Sequence, residues 1–152
     1  MHSQYHIRPA SSSDLEALVT FTVQEALETE ESHPDIAAVR RGVQSGVDGA
    51  APVGYWVALF DDGEIVGSIS VVTEWSNFRG AYYWWVQSLF VTPAHRGRGL
   101  VDLLLDFVAD SARAAGALDL RLHVLKSNER AIGAYRRCGF HTAAYAMMTR
   151  NI

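Results

Sequence analysis

Between Gly54 and Val91 the chain carries three apolar runs with no helical period, and this stretch restricts the fold more than any other. Tyr55-Trp56-Val57-Ala58-Leu59-Phe60 is aromatic and β-branched, Asp61-Asp62-Gly63 is a turn, and residues 65–73 resume the strand pattern. Ala81–Val91 is a longer, aromatic-rich strand candidate that reads as buried on both faces and is closed by Pro93. Adjacent strands of this kind must bury a face against another layer. The flanking segments supply helices. Ser13-Asp14-Leu15-Glu16 has the capping-box pattern, and Leu15, Leu18, Val19, Val23, Ala26 and Leu27 recur at helical spacing behind it. Ile36, Val39, Val43 and Val47 mark a second helix ended by Gly49 and Pro52. Leu100, Leu103, Leu104, Phe107, Val108 and Ala112 mark a third, closed near Gly116, and residues 128–138 a fourth, stopped by Gly139. Residues 5–8 read as an opening strand, 118–125 as a further strand and 140–149 as a closing one.

The order β, α, α, three strands, α, β, α, β predicts an α+β fold with one crossover unit in its second half. No linker or repeat interrupts it, so a single domain spanning residues 1–152 is expected. At 152 residues and 49% hydrophobic content, such a chain buries about two-thirds of its unfolded surface without staples. The lone Cys138 closes no internal disulfide, and the scattered histidines offer no zinc-ligand spacing, so no metal is expected. With 13 Lys+Arg against 17 Asp+Glu, the net charge of −4 argues against nucleic acid as a general partner. No apolar stretch approaches the roughly 18 residues a membrane helix needs. Residues 1–8 also lack the basic-then-apolar form of a signal peptide, so no membrane partner and a cytoplasmic location are expected.

The chemistry is sought at the crossover. After Leu89-Phe90-Val91, the segment Thr92-Pro93-Ala94-His95-Arg96-Gly97-Arg98-Gly99-Leu100-Val101 puts two glycines and two arginines at a helix start. Glycines let backbone amides approach a ligand, a helix start leaves amides unpaired, and arginine adds fixed positive charge, which together suit a diphosphate. A P-loop is excluded because Gly99-Leu100-Val101 lacks the lysine and hydroxyl. A dinucleotide fingerprint fails for want of a third glycine and of an acidic residue at the end of the next strand, since Asp119 begins that strand. A tight turn with solvated arginines is the plain structural reading.

The loop and its surroundings resemble the GNAT superfamily of acyl-CoA-dependent N-acetyltransferases. The family's pyrophosphate motif, Arg/Gln-x-x-Gly-x-Gly/Ala, is matched by Arg96 and Gly99, and Ser88 to Pro93 resembles its preceding strand and Val-x-Pro exit. Asn128, Ala131, Tyr135, Gly139 and Phe140 match every named position of its Asn-x-x-Ala-x-x-x-Tyr-x-x-x-Gly-Phe segment, and Ile7-Arg8-Pro9-Ala10 with Asp14 resembles its opening. Glu74-Trp75-Ser76 and Trp84-Trp85-Val86-Gln87-Ser88 resemble a stretch found in one subgroup. The likeness implies a GNAT-type mixed, mostly antiparallel sheet of about six or seven strands flanked by four helices. One position departs from the pattern: Val101 stands where the family has Gly or Ala, and Asp102 follows it. A carboxylate there favours the helix start but repels a diphosphate if it turns inward.

The resemblance implies acetyl-CoA as acyl donor, bound by Leu89, Phe90 and Val91 at a splayed strand end, by Arg96, Gly97, Arg98, Gly99, Leu100 and Val101 at the diphosphate, and by Asn128 on the cofactor arm. It implies Tyr135 as general acid toward the departing sulfur; by spacing alone Tyr135 fits a core position beside Ala131 and Ile132, and Asn128 a helix N-cap. Cys138, at a helix end without a histidine partner, is read as packing, and transfer as direct attack in a ternary complex. A base must deprotonate an ammonium of ordinary pKa about 10.4. Glu74 is the first candidate, with Glu30 and His33 next, and strand-end or solvated acidic surface as the plain alternative. Glu30, Trp75 and Gln87 are the candidate acceptor contacts, the first two suiting a small cationic amine. The function expected is acetyl transfer to a primary amine of a small molecule. Protein N-termini or lysines, a non-catalytic CoA-binding sensor or structural module, and a distant nucleotide switch are the competing readings. The resemblance also suggests a homodimer formed through aromatic strands.

Overall fold

The computed structural model of the chain describes residues 4–29 and 33–152. Among the described residues there are five strands and four α-helices: β1 (Tyr5–Pro9), α1 (Leu15–Thr29), α2 (Ile36–Val47), β2 (Val53–Phe60), β3 (Ile65–Ser76), β4 (Ala81–Val91), α3 (Leu100–Ala114), β5 (Leu120–Leu122) and α4 (Glu129–Arg137). The sheet order is β1-β2-β3-β4-β5. The first four strands pair antiparallel, and β5 joins β4 in parallel through the α3 crossover.

Local chemistry accounts for the helix starts, with one change from expectation. The capping box uses Ser11 and Asp14, one 3-10 turn earlier than Ser13 and Glu16. The Asp14 carboxylate accepts the Ser11 backbone N–H at 2.8 Å and forms a two-pronged pair with Arg8 at 2.7 and 3.0 Å. Glu16 instead pairs with Arg40 of α2, tying the two helices at the surface. Asp35 caps α2 by accepting the amides of Ala37 and Ala38.

The sheet has a core on each face. Leu18 and Val19 of α1 pack with Val43 of α2 and Val57 of β2 on one side. Leu100, Leu104, Leu105 and Val108 of α3 pack with Val66, Ile69, Val86 and Val91 on the other. The apolar stripe of α1 runs through Leu18, Val19 and Phe21, whereas Leu27, assigned to it from spacing, is 43% exposed. Phe21 stacks on Phe90 at 5.0 Å, which holds α1 over the C-terminal half of β4.

The strand number is five, not six or seven. The expected strand over 118–125 contracts to Leu120–Leu122, and residues 140–149 form no strand. A strand pattern specifies readiness to pair; the first segment finds β4 as a neighbour only up to Leu122, and the second pairs with no described strand. β4 is also less buried than its composition suggested: Tyr82 is 48% exposed, and only Val86, Phe90 and Val91 are fully buried.

Candidate acyl-transfer site

Two features of β4 create the site. First, β4 and β5 pair only over Trp84–Leu120, Trp85–Arg121 and Val86–Leu122, and beyond this the two strands part company. Second, the register with β3 shifts between Ser70 and Val71: Ser70 faces Ser88 and Val71 faces Val86, so Gln87 is an extra, bulged residue. The bulge lies where the strands separate. The edge of β4 beyond it is turned toward the gap, and Leu89 sends its backbone N–H to Oε1 of Glu25 on α1 at 3.3 Å.

The loop after β4 closes one end of this gap. Thr92 to Arg96 form a single 3-10 turn begun by Pro93. Buried His95 bonds the Tyr5 hydroxyl at 3.0 Å and packs on the Phe60 ring, fastening the turn to β1 and β2. Gly97 and Gly99 have φ of 74° and 79°, and a Cβ on either would meet nothing within 4 Å, so backbone conformation rather than space selects glycine there. Gly99 is the N-cap of α3, no side chain caps the helix, and the first helical bond runs from the Leu103 N–H to the Gly99 carbonyl at 3.0 Å. The amides of Leu100, Val101 and Asp102 therefore form an electropositive helix start of the kind that receives phosphate oxygens.

The side chains around that start sort by what they touch. Arg96 donates to the Val91 carbonyl at 2.9 Å, pairs with Glu28 of α1 at 2.8 Å and lies 5.4 Å from the Phe90 ring, so it braces the loop against α1. Arg98 is exposed and forms no ion pair with another described residue. The Leu100 side chain is buried, and Val101 packs at the edge of the same core, so both face away from the loop. The Asp102 carboxylate accepts the Cys138 thiol at 3.0 Å and is thereby turned toward α4. Burial, then this bond to Asp102, pushes the Cys138 thiol up to about 11, which keeps it protonated and unreactive at neutral pH.

The chain beyond β5 leads into α4, whose Tyr135 and Cys138 pack against the core under α3. Asn128 caps it, its Oδ1 accepting the Ala131 N–H at 3.2 Å. At the opposite end the Gly139 N–H reaches the Arg136 carbonyl and the Phe140 N–H the Tyr135 carbonyl, the paired bonds of a Schellman close, with Gly139 at φ 91°. Phe140 packs edge-on to Tyr135 at 5.9 Å, fixing that ring. Burial, then the nearby charge of Glu25, raises the Tyr135 hydroxyl above its ordinary value, so it holds its proton across the neutral range.

Beside the gap lie two adjoining depressions, of about 410 and 200 Å³, which share Thr22, Tyr55 and Gln87. The larger is walled by Val39, Val43, Val53 and Val72, and the smaller includes Glu25 and Ser88. Burial alone raises the Tyr55 hydroxyl. Of the sequence candidates, Gln87 lines both depressions. Glu74 and Trp75 do not: the Glu74 carboxylate accepts the Trp85 indole N–H at 3.1 Å at the exposed end of β3, and Trp75, 53% exposed, packs on Tyr82. His33 is exposed in the connection between α1 and α2, and Glu30 lies outside the described residues. Among the described residues no group of acidic, histidine or cysteine side chains is arranged to hold a metal.

Sequence reasoning missed Glu25, Thr22 and Tyr55. For Glu25 a signal was present: it follows Leu18 by seven residues and Phe21 by four, so a carboxylate occupies the buried face of α1.

The model of the acetyltransferase (GNAT) family matches residues 16–140. A comparison with curated protein sequences finds no match. Among solved structures, the chain is similar to a possible acetyltransferase from Clostridium difficile 630, with 24% identity, TM-score 0.91 and 99% of each chain covered. It is also similar to AAC(6')-Iy in complex with a bisubstrate analog, CoA-S-monomethyl-acetylneamine, with 19% identity, TM-score 0.80 and 99% of each chain covered. A third is the ribosomal-protein-alanine N-acetyltransferase from Brucella melitensis biovar Abortus 2308, with 18% identity, TM-score 0.76, and coverage of 97% of this chain and 99% of that one.

Proposed function

Because this chain belongs to the GNAT acetyltransferase family, we propose that it moves an acetyl group from acetyl-CoA to the primary amine of a small molecule. The observation that supports this reading is that Glu25 bonds the Leu89 amide and bears on the Tyr135 hydroxyl, beside a β4 strand that leads into an uncapped α3 start. Acetyl-CoA would supply a thioester whose acyl carbon accepts the amine and whose sulfur leaves. The α3 amides of Leu100, Val101 and Asp102, with Arg98 beside them, would hold its diphosphate. Val101 does not obstruct that role, since its side chain packs on the core, and Asp102 is engaged by Cys138. The backbone of Leu89, Phe90 and Val91 would pair with the pantetheine arm, and Asn128 would orient it in addition to capping α4.

The Tyr135 hydroxyl donates a proton to the leaving sulfur, a thiol of ordinary pKa about 8.5, as the C–S bond breaks. Glu25 is the carboxylate of this chain best placed to hold the acceptor ammonium and take its proton, because it borders the smaller depression and bonds the Leu89 amide. Gln87 and Tyr55 position the acceptor body. Glu74 is the alternative base, for an acceptor that enters along the exposed end of β3, where Trp75 would form its wall. The valine-lined depression favours an amine with a compact apolar body.

The test is calorimetric titration with acetyl-CoA, followed by thiol release across a panel of small amines and peptide N-termini. Tyr135→Phe should bind acetyl-CoA normally and lose about 10²-fold or more in kcat. Glu25→Gln should lose activity chiefly toward cationic amines, with Glu74→Gln near wild type; the reverse pattern would move the base to Glu74. Binding of acetyl-CoA with no thiol release on any acceptor would establish the CoA-binding module instead.

A further inference from the structure

On the sheet face opposite α3, β4 and β5 carry a stack of rings and charge that acyl transfer leaves unused. Trp84, Val86, Leu120 and Leu122 turn to the α3 core, so the alternate positions turn the other way. There the Arg121 guanidinium lies 3.5 Å from the centre of the Tyr83 ring and 5.8 Å from that of Trp85. The His123 imidazole is stacked on Trp85, with 4.4 Å between centres and 18° between planes. The layers therefore run Tyr83, Arg121, Trp85, His123. Val72, which faces Trp85 in register, walls the larger depression, so the stack and the depression share one face.

The polar groups of the stack are already engaged. Nε and Nη2 of Arg121 donate to the Asp119 carboxylate at 2.9 and 3.4 Å, and the Trp85 indole N–H donates to Glu74. What remains on offer is a ring face. His123 is exposed, and among the described residues its side chain has no ring, hydrogen-bond or ion-pair partner besides Trp85. Topology sets its place: β4 and β5 are last paired at Val86 and Leu122, so Gln87 and His123 are the next residues along, where the strands part. Gln87 lines both depressions, and the open end of the stack adjoins them.

We propose that His123 is the ring subsite of the acceptor: an aromatic or heteroaromatic ring stacks on its free face as the next layer, while a short chain carries the primary amine to Glu25 and Gln87. That the ring belongs to an acceptor rests on the acetyl-transfer function proposed for this chain. A planar ring is the occupant that matches. The imidazole is held nearly parallel to Trp85, so its free face is flat and fixed in tilt. Offset stacking on such a face adds attraction that a saturated body of the same area does not gain. The adjoining depressions, of about 410 and 200 Å³, are of small-molecule size.

The experiment compares phenethylamine with its saturated counterpart, cyclohexylethylamine, by thiol release from acetyl-CoA and by the imidazole proton resonances of His123, assigned by their loss in His123→Leu. Phenethylamine should lead by about 3–10-fold in kcat/KM, with the difference in KM. Its ring current should shift the His123 resonances, and cyclohexylethylamine should leave them nearly in place. His123→Leu keeps an apolar body without a π system and should erase the lead by raising KM for phenethylamine to that of cyclohexylethylamine. His123→Phe returns a ring and should return the lead. A wild type without the lead, a lead that survives His123→Leu, or a loss in that variant that falls on kcat for both amines alike would each overturn the proposal. Shifted His123 resonances without thiol release from any amine would uphold the ring subsite and reject acetyl transfer. Thiol release without ring preference would reject the subsite and leave acetyl transfer standing.

Discussion

Asp14 is 2% exposed, and it retains its charge because four donors surround it: two guanidinium nitrogens of Arg8, the Ser11 amide and the Ser11 hydroxyl. The bond to Arg8, outweighing desolvation, holds its carboxyl below the ordinary value of 3.8. The unfolded carboxylate takes up protons first as pH falls. The stability this group adds is therefore complete above about pH 4 and is lost as pH drops through the lower folded value. Asp14→Asn should cost about 2–3 kcal/mol at neutral pH, less than for a fully buried pair because Arg8 is partly solvated. Thermal melts at pH 7 and pH 3 should show the variant-to-wild-type gap narrow in acid; a gap equal at both would remove the ion pair from the account. Glu25 shows a second way a residue acquires its role. Its identity and helical phase are plain in the sequence, yet its partner, the Leu89 amide, is 64 residues away, and only folding brings them together.

At the scale of the element, the turn from β4 into α3 has its conformation written in two glycines. Gly99 sits at φ 79° with open space where a Cβ would stand, so Gly99→Ala should carry a conformational cost of about 1–2 kcal/mol and no clash. The melting temperature should fall by about 2–8 °C, and acetyl-CoA affinity should fall because the amides it aligns lose their register. Gly99→Asn, which tolerates the left-handed region, should recover most of both. Equal damage from Ala and Asn in melting and calorimetry would show that space, not backbone angle, selects glycine. This loop was legible because glycine and arginine at a helix start carry their reason locally. The capping box slipped by two residues because Ser11 with Asp14 and Ser13 with Glu16 are locally equivalent. Arg8 and Arg40, arriving from other elements, decided between them.

Across the whole molecule, Gly67 links the core under α3 to the end of β4. A Cβ there would come within 3.0 Å of the Phe90 carbonyl oxygen and 3.4 Å of Leu100, the first residue of α3. Gly67→Ala should force β4 and α3 apart at the mouth of the gap, costing about 1–3 kcal/mol as overpacking does. It should weaken acetyl-CoA binding more than an equally destabilising change in the α1–α2 core, such as Val43→Ala. Parallel melts and calorimetry on the two variants give the comparison, and matched affinities would uncouple β3 packing from the site. The strand count belongs to this scale too. Residues 118–125 and 140–149 declare strand by composition, but a strand exists only with a neighbour, and the single chain provides one for three residues of the first and none for the second.

The chain by itself determined the order of its elements, because apolar period, capping residues and glycine punctuation act over a few residues. It also determined the glycine-bearing loop that opens α3, where local conformation and spacing coincide. Tertiary structure alone decided which β4 amide faces the gap, which carboxylate meets it, and that Asp102 turns to Cys138. Those outcomes depend on the bulge at Gln87, on the parting of β4 from β5 and on how α1 lies over Phe90. Each is a contact between segments far apart in sequence, and its energy is realised only once both have been placed.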